Sequence, residues 1–315
     1  MLDTIIIGSG PAGVAAGIYA VRREMKTLII GKEMGGQMAW AGDIENYPGF
    51  KSIMSFELIE KFREHLVSSG VENLSAEVKK IEKTDEGNYK VYTSKDEYIT
   101  KTIIIAMGLT PKRLAIEGEE KYNGKGVSYC ANCDGPLYKN KTVAVIGGGN
   151  AAVDAAEILS KIASKVYLIH RSEKFKAFDI LVNEVRERQN IELMENSEVK
   201  EILGENKVEK IIVHNKDNKN TEIALDGIFI EIGRIAHTDL VEELIKRDER
   251  GQIVVDEKCR TNSEGIFAAG DVTQTEFKQI TVAMGQGTIA ALAAYQYIQL
   301  KQGKEVKRVM DRSIK

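Results

Sequence analysis

Near its start the chain reads Thr4-Ile-Ile-Ile-Gly-Ser-Gly-Pro-Ala-Gly13, an apolar run of β type that passes through a glycine-rich turn into a helical stretch. In a dinucleotide-binding turn each glycine has its own use. Gly8 allows the tight turn, Gly10 lets the backbone approach a pyrophosphate, and Gly13 lets helix and strand pack closely. Glu33 follows at the distance where an acid can reach a ribose hydroxyl. The stretch therefore predicts a nucleotide-binding unit.

The same pattern returns further along the chain as Thr142-Val-Ala-Val-Ile-Gly-Gly-Gly-Asn-Ala-Ala152, where Ala152 takes the place of the third glycine. Each motif is followed by a later β-run that ends in glycine. These runs are Ile103-Ile-Ile-Ala-Met-Gly108 and Ile228-Phe-Ile-Glu-Ile-Gly233. The duplication predicts two similar dinucleotide folds in series.

The segment after about residue 245 contains no third glycine motif. Its stretch Gly265-Ile-Phe-Ala-Ala-Gly-Asp271 is typical of a buried strand that ends in a turn with a carboxylate, and we assign it to the first unit. The predicted fold class is α/β, with two Rossmann-like nucleotide-binding domains, the second inserted into the first. The expected ranges are 1–110 with 245–315 for the first domain and 111–244 for the second.

A basic stretch follows the second strand of the inserted unit. After Lys165-Val-Tyr-Leu-Ile169 the sequence reads His170-Arg-Ser-Glu-Lys-Phe-Lys176, where an NAD site would usually place an acid. Arg171 can contact a 2′-phosphate, helped by Lys174 or Lys176, which favours NADPH and leaves NADH possible. For the lysines, a solvated charged loop is the alternative interpretation.

Two of the three cysteines form the pair Cys130-Ala-Asn-Cys133. Sulfur atoms at this spacing can close a small disulfide ring, and the spacing commonly lowers the pKa of the first thiol. A zinc half-site is the alternative, but the other candidate ligands are Cys259 and four scattered histidines. We therefore expect redox chemistry and no metal, and we interpret Cys259 as a partly buried strand residue.

A disulfide and two nucleotide folds in one chain indicate an electron relay. Nicotinamide donates two electrons as hydride and a disulfide accepts two, but direct transfer between them is not a usual protein reaction. A flavin between them solves this problem. The first nucleotide site is therefore expected to hold FAD and the second the nicotinamide coenzyme. A regulatory flavin- and nucleotide-binding protein without turnover is the competing class.

The composition excludes several classes of protein. Lys plus Arg number 44 and Asp plus Glu 47, so the basic excess that nucleic-acid binding requires is missing. The longest mostly apolar stretch, from Ile280 to Ile298, is interrupted by glycine and glutamine and favours a packed helix over a membrane span. The N-terminal apolar run is too short for an export signal. We expect a cytoplasmic protein with neither nucleic acid nor membrane as a partner.

Over essentially its whole length the chain resembles the low-molecular-weight thioredoxin reductases. The motifs that carry the resemblance are Gly8–Gly13, Gly35-Gly-Gln37, Glu45-Asn-Tyr-Pro-Gly49, Tyr129-Cys-Ala-Asn-Cys-Asp-Gly135, Gly147-Gly-Gly-Asn150, His170-Arg171, Ala268-Ala-Gly-Asp271 and Lys278-Gln279. Three further stretches are similar to the flavoprotein component of alkyl hydroperoxide reductase: Asp134-Gly-Pro-Leu-Tyr-Lys139, Asp256-Glu-Lys-Cys-Arg-Thr261 and Phe277-Lys-Gln-Ile280.

The resemblance implies a homodimer that reduces thioredoxin or a glutaredoxin-like dithiol protein. It implies that Cys133 faces the flavin, that Cys130 attacks the partner's disulfide, and that Asp134 is the acid and base for the thiols. The residues expected at FAD are Gly8, Ser9, Gly10, Pro11, Ala12, Gly13, Glu33, Gly36, Gln37, Asn46, Gly108, Gly270, Asp271, Lys278, Gln279 and Ile280. Those expected at NADPH are Gly147, Gly149, Asn150, Ala151, His170, Arg171 and Lys176.

The sequence departs from the family pattern in the coenzyme loop. Family members that use NADPH usually show His-Arg-Arg followed by a further Arg, whereas here Ser172 replaces the second Arg and Lys176 the last. NADH and a reduced ferredoxin therefore stay open as alternative electron donors.

Overall fold

The computed structural model describes residues 1–40, 43–217 and 219–304. The helices are α1 (Pro11–Val21), α2 (Ser55–Ser68), α3 (Ala131–Asp134), α4 (Asn150–Ser160), α5 (Asp179–Arg186) and α6 (Ile280–Lys301). Short 3₁₀ turns lie at Gly36–Trp40, Gly135–Tyr138 and Asp239–Val241. None of the helices within the described ranges is long and apolar enough to cross a membrane.

The first nine strands are β1 (Leu2–Ile7), β2 (Thr27–Gly31), β3 (Asp43–Ile44), β4 (Ile53–Met54), β5 (Glu72–Ser75), β6 (Val78–Lys83), β7 (Tyr89–Thr93), β8 (Glu97–Ile105) and β9 (Thr110–Pro111). The remaining strands are β10 (Val127–Ser128), β11 (Thr142–Ile146), β12 (Lys165–Ile169), β13 (Ile191–Met194), β14 (Ser197–Leu203), β15 (Lys210–Asn215), β16 (Asn220–Ala224), β17 (Gly227–Ile230), β18 (Arg234–Ile235) and β19 (Ile266–Ala268).

The chain divides into two compact units. The first comprises Met1–Ala39, Phe56–Thr110 and the described residues from Ile235 onward, and the second comprises Trp40–Ser55 and Pro111–Arg234. The units depart from the predicted ranges in two places. Trp40–Ser55 groups with the second unit, because β3 packs against α3, and residues 235–244 group with the first.

A sheet in the order β5–β2–β1–β8–β7–β6 forms the first unit, and β19 also pairs with β8. The β1, β2, β5 and β19 pairings are parallel, whereas β6, β7 and the start of β8 form an antiparallel layer. Parallel strands covered on both faces are continuously apolar. Accordingly, Ile5, Ile103 and Ile105 are fully buried in one core with Ile266.

A parallel sheet in the order β10–β17–β11–β12–β13 forms the second unit, beside an antiparallel sheet β14–β15–β16. One face of the parallel sheet packs against α4 and α5, and the other against the antiparallel strands. The predicted α/β class with two Rossmann-like folds is confirmed. The alternating segments Tyr89–Thr93 and Lys210–His214 lie in the antiparallel strands β7 and β15.

The two crossover segments pair with each other as a two-stranded sheet of β9 and β18. Beside this pair the amide of Lys112 donates to the carbonyl oxygen of Gly233 at 2.9 Å, and the imidazole Nε2 of His237 is 3.1 Å from the hydroxyl of Thr110. The chain therefore enters and leaves the inserted segment through adjacent strands.

Helix α6 packs along α1, and a glycine makes this contact possible. A Cβ atom on Gly287 would lie 2.1 Å from the carbonyl oxygen of Ala12, which belongs to the backbone and cannot turn aside. Gly285, two residues away in the same helix, faces open space.

These two glycines give a matched test of the packing. Gly287→Ala should lose about 1–3 kcal/mol of stability, since the new methyl group forces the helices apart. Gly285→Ala should be neutral or stabilising by up to about 1 kcal/mol, because alanine is the better helix former. Thermal melts of the two purified variants measure the difference, and equal melting temperatures would contradict the packing argument.

Candidate active site

Cys130 and Cys133 form a disulfide whose Cα atoms are 5.3 Å apart. Cys130 precedes α3 in extended conformation, and its carbonyl oxygen accepts hydrogen bonds from the amides of Cys133 and Asp134 at 3.2 and 3.1 Å. The sequence prediction of a disulfide ring in this turn is therefore confirmed for the oxidised protein.

Asp134 follows the pair and shares a hydrogen-bonding serine with it. The hydroxyl of Ser128 donates to Oδ2 of Asp134 at 2.5 Å and accepts from the amide of Cys130 at 3.1 Å. Burial raises the pKa of Asp134 above its ordinary value, and the bond from Ser128 acts in the opposite direction. This carboxyl therefore holds a proton at higher pH than an exposed aspartate does.

A second carboxyl lies at the cysteine turn and was missed by the sequence reasoning. Oε1 of Glu231 is 3.4 Å from the amide of Ala131, between the two cysteines. Burial raises the pKa of Glu231 to about 7, against the lowering effect of the Arg234 guanidinium. The available signal was a single acid within the apolar run that contains β17.

Tyr129, the residue before Cys130, is held by three side chains. Its hydroxyl donates to Glu119 at 2.8 Å and accepts from Arg113 at 3.1 Å, while Arg234 donates to its carbonyl oxygen at 3.1 Å. Glu119 is buried, and burial raises the pKa of the Tyr129 hydroxyl. Residues from both crossover regions therefore fix the backbone that leads into the disulfide.

The first glycine turn has the geometry that the motif predicts. A Cβ atom on Gly8 would lie 2.2 Å from the carbonyl oxygen of Ala106, and one on Gly13 would lie 1.9 Å from that of Gly8. Around Gly10, by contrast, the nearest protein atom would be 3.8 Å away, on Gly36. The turn is thus closed where strand and helix pack and open where a phosphate would approach.

Residues far apart in sequence meet beside this turn. The side-chain amide of Gln37 donates to Oδ2 of Asp271 at 2.7 Å, although 234 positions separate them. The ammonium group of Lys278 donates to the carbonyl oxygen of Asp271 at 3.0 Å, and the amide of Gly270 donates to Gln286 at 2.8 Å. This part of the predicted flavin set converges in the first unit.

The remaining predicted flavin residues are distributed as follows. Ser9 is buried and donates to the carbonyl oxygen of Glu33 at 2.7 Å. Asn46 is exposed and belongs to the second unit, so the first unit does not include it. The others lie at the start of α1 (Pro11, Ala12), in the turn after β8 (Gly108) and at the start of α6 (Gln279, Ile280).

The second glycine turn repeats the first. A Cβ atom on Gly147 would lie 2.4 Å from the carbonyl oxygen of Glu231, whereas Gly149 faces open space. Gly148 packs against the ring of His170, which would be 2.2 Å from a Cβ atom added to this glycine. The carbonyl oxygen of Gly148 accepts a hydrogen bond from the amide of Lys176 at 2.6 Å. The loop after β12 therefore closes onto the turn.

The predicted coenzyme residues of this loop differ in exposure. His170 is buried, stacks on Phe175 and has a lowered pKa, mainly because of burial. Arg171 and Lys176 are exposed, and the nearby charge of Arg171 contributes to lowering the pKa of Glu198, after the larger effect of a hydrogen bond from Lys200.

At the start of α4, the side chain of Asn150 accepts a hydrogen bond from the amide of Phe178 at 3.0 Å, and Ala151 is exposed. These two predicted coenzyme residues follow directly after the open position at Gly149.

Residues 2–287 match the family model described as pyridine nucleotide-disulphide oxidoreductase. The chain belongs to this family. Thioredoxin reductase of Bacillus subtilis (strain 168) is 40% identical over 301 residues, covering 94% of this chain and 95% of that protein. The crystal structure of thioredoxin reductase from Streptococcus pyogenes MGAS5005 has a TM-score of 0.92 and 40% identity, covering 95% of this chain and 99% of that one.

The two resemblances drawn from the motifs are confirmed. An alkyl hydroperoxide reductase component of Staphylococcus aureus (strain MRSA252) is 38% identical over 298 residues, which are 94% of this chain and 59% of that protein. This oxidoreductase chain therefore spans somewhat more than half of that relative.

Cys259 has no redox partner among the described residues. Its thiol is buried, donates to the carbonyl oxygen of Gln286 at 3.5 Å, and has its pKa raised to about 11 by burial. Within the described part of this oxidoreductase, no three His, Cys, Asp or Glu residues are grouped so that they could hold a metal ion.

Proposed function

We propose that the chain is a thioredoxin-disulfide reductase that passes electrons from NADPH through FAD to the Cys130–Cys133 disulfide, and from there to thioredoxin or a glutaredoxin-like dithiol protein. The observation that carries the proposal is a disulfide, with a carboxyl of raised pKa beside it, in a chain that has two dinucleotide turns. A binding protein without turnover would have no use for this disulfide. We further propose a cytoplasmic homodimer.

The first unit supports the assignment of FAD. Its glycine turn leaves open space at Gly10, and the amides at the start of α1 suit a pyrophosphate. The family pattern places Gln37, Asp271 and Lys278 at FAD, and in this unit Gln37 and Lys278 each donate a hydrogen bond to Asp271. When bound, FAD would accept hydride from the nicotinamide and deliver two electrons to the disulfide.

The cysteines have unequal roles in the proposed exchange. Reduction breaks the S–S bond and leaves two sulfurs that take up protons, for which Asp134 is the nearby carrier. The Cys130 thiolate then attacks the partner's disulfide, giving a mixed disulfide and a partner thiolate. The Cys133 thiolate next attacks the sulfur of Cys130, which restores the S–S bond and releases the partner as a dithiol.

Replacing Gly10 tests the flavin site separately from folding. Its backbone is extended, and no protein atom lies closer than 3.8 Å to the position of a new Cβ atom, so Gly10→Val should still fold. The added side chain would occupy the approach of the pyrophosphate, and we expect at least a tenfold loss of bound FAD. Flavin absorbance per chain measures the amount of bound FAD in Gly10→Val, with Gly285→Ala as the control variant. Full FAD occupancy in Gly10→Val would contradict the assignment.

Substitution of each cysteine tests the roles. Cys130→Ser should still allow NADPH to bleach the flavin but should abolish reduction of thioredoxin, since the attacking sulfur is gone. Cys133→Ser should also stop turnover, while its Cys130 remains able to form a stable mixed disulfide with thioredoxin. If Cys130→Ser reduced thioredoxin at the rate of the unchanged enzyme, the nucleophile would be misassigned.

The electron donor is tested by anaerobic titration with NADPH, NADH and reduced ferredoxin while the flavin absorbance is followed. We expect NADPH to be preferred, because Arg171 can pair with a 2′-phosphate and no acid ends β12. Arg171→Ala should raise KM for NADPH more than KM for NADH, whereas the matched Arg186→Ala, on α5, should change neither. If Arg171→Ala changed KM for NADPH and KM for NADH equally, Arg171 would not contact the 2′-phosphate. If only reduced ferredoxin bleached the flavin, ferredoxin rather than NADPH would be the electron donor.

A further inference from the structure

Glu231 occupies a position that the duplicated fold uses twice. In the first unit, the carbonyl oxygen of Ala106 follows β8 and packs on Gly8 of the glycine turn. In the second unit, the carbonyl oxygen of Glu231 follows β17 and packs on Gly147 in the same way. The backbone carbonyl therefore makes the same contact in both units. The side chain at this position is the methyl group of Ala106 in the first unit and the carboxyl of Glu231 in the second.

That carboxyl reaches the cysteine turn. Its Oε1 is 3.4 Å from the amide of Ala131, which directly follows Cys130 and lies two residues before Cys133. We propose that Glu231 is a positioning residue for the dithiol, whose negative charge at the Ala131 amide makes the Cys130–Cys133 disulfide harder to reduce. This role rests on the proposed function, since it requires a disulfide that is reduced and reoxidised.

The physical reason is repulsion between like charges. Breaking the S–S bond with two electrons leaves two sulfurs that carry negative charge until protons reach them, and an ionised carboxylate nearby opposes this charge. A protonated Glu231 does not oppose it. Reduction should therefore be coupled to the uptake of a proton at Glu231, in addition to the protons that the two sulfurs take up.

The surroundings make this coupling relevant near neutral pH. Burial raises the pKa of Glu231 to about 7, and Arg234 on its own segment lowers it in part. The cysteine turn that this carboxyl contacts also carries Asp134, whose pKa is likewise raised by burial, and His170 packs on Gly148, next to the glycine that contacts the Glu231 carbonyl oxygen. Below pH 7 the carboxyl is neutral and its effect is absent, and as the pH rises through 7 the carboxylate forms and reduction becomes less favourable.

The test compares Glu231→Gln with the unchanged flavin-loaded enzyme. Glutamine keeps an oxygen that accepts from the Ala131 amide but carries no charge. Both proteins are equilibrated with reduced and oxidised dithiothreitol at pH 6 and pH 8, and the free thiols of Cys130 and Cys133 are alkylated and counted by mass spectrometry. At pH 8 the equilibrium constant for reduction should be about three- to tenfold larger for Glu231→Gln, and at pH 6 the two should agree.

Controls separate the possible results. Glu198→Gln removes the same charge from β14, where Glu198 pairs with Lys200, and should match the unchanged enzyme at both pH values. Glu231→Ala provides a second neutral side chain and should show the same excess at pH 8 even if Glu231→Gln folds poorly. Equal constants at pH 8 for the unchanged enzyme and the neutral variants would overturn the role of Glu231 while leaving the proposed function intact. If neither dithiothreitol nor NADPH reduces the pair in the unchanged enzyme, both proposals fail.

Discussion

Both units depend on the absence of a side chain at one point of each glycine turn. The carbonyl oxygen of a neighbouring strand fills the space that a side chain of Gly8 or Gly147 would need. The strand that closes each turn comes from much later in the unit, so the turn forms correctly only when the sheet is assembled. The geometry of each glycine turn therefore depends on the whole sheet and not only on the short glycine motif that predicts it.

The cysteine turn has a different source of rigidity. Helix α3 has only four residues, which is too short to be stable by its own hydrogen bonds. Its order comes instead from Ser128 and Tyr129 before it, and from Glu231 and Arg234 across it. A turn held by side chains from several segments can keep its position while the S–S bond inside it is broken and remade.

The sequence was most informative where local rules decide the structure. Both glycine turns, their helices and the apolar strands beside them follow from spacing and composition alone. The disulfide follows from the two-residue spacing of the cysteines together with the scatter of the other possible zinc ligands. Glu231 could not be identified as a site residue in this way, because within an apolar run an acid shows no sign of which amide it will meet. Likewise, nothing local indicates that Trp40–Ser55 packs with the second unit, because that grouping depends on tertiary contacts with α3.

The order of strands along the chain has a consequence for synthesis. In β8, Ile103 and Ile105 are fully buried and pair with β19. At about 5–20 residues per second, the roughly 160 residues between these strands take about 8–30 s to leave the ribosome. During that time one edge of an apolar strand has no partner, which is the condition that favours pairing with other chains. The inserted segment can complete its own parallel sheet in this interval, whereas the sheet of the first unit stays open at this edge until β19 is made.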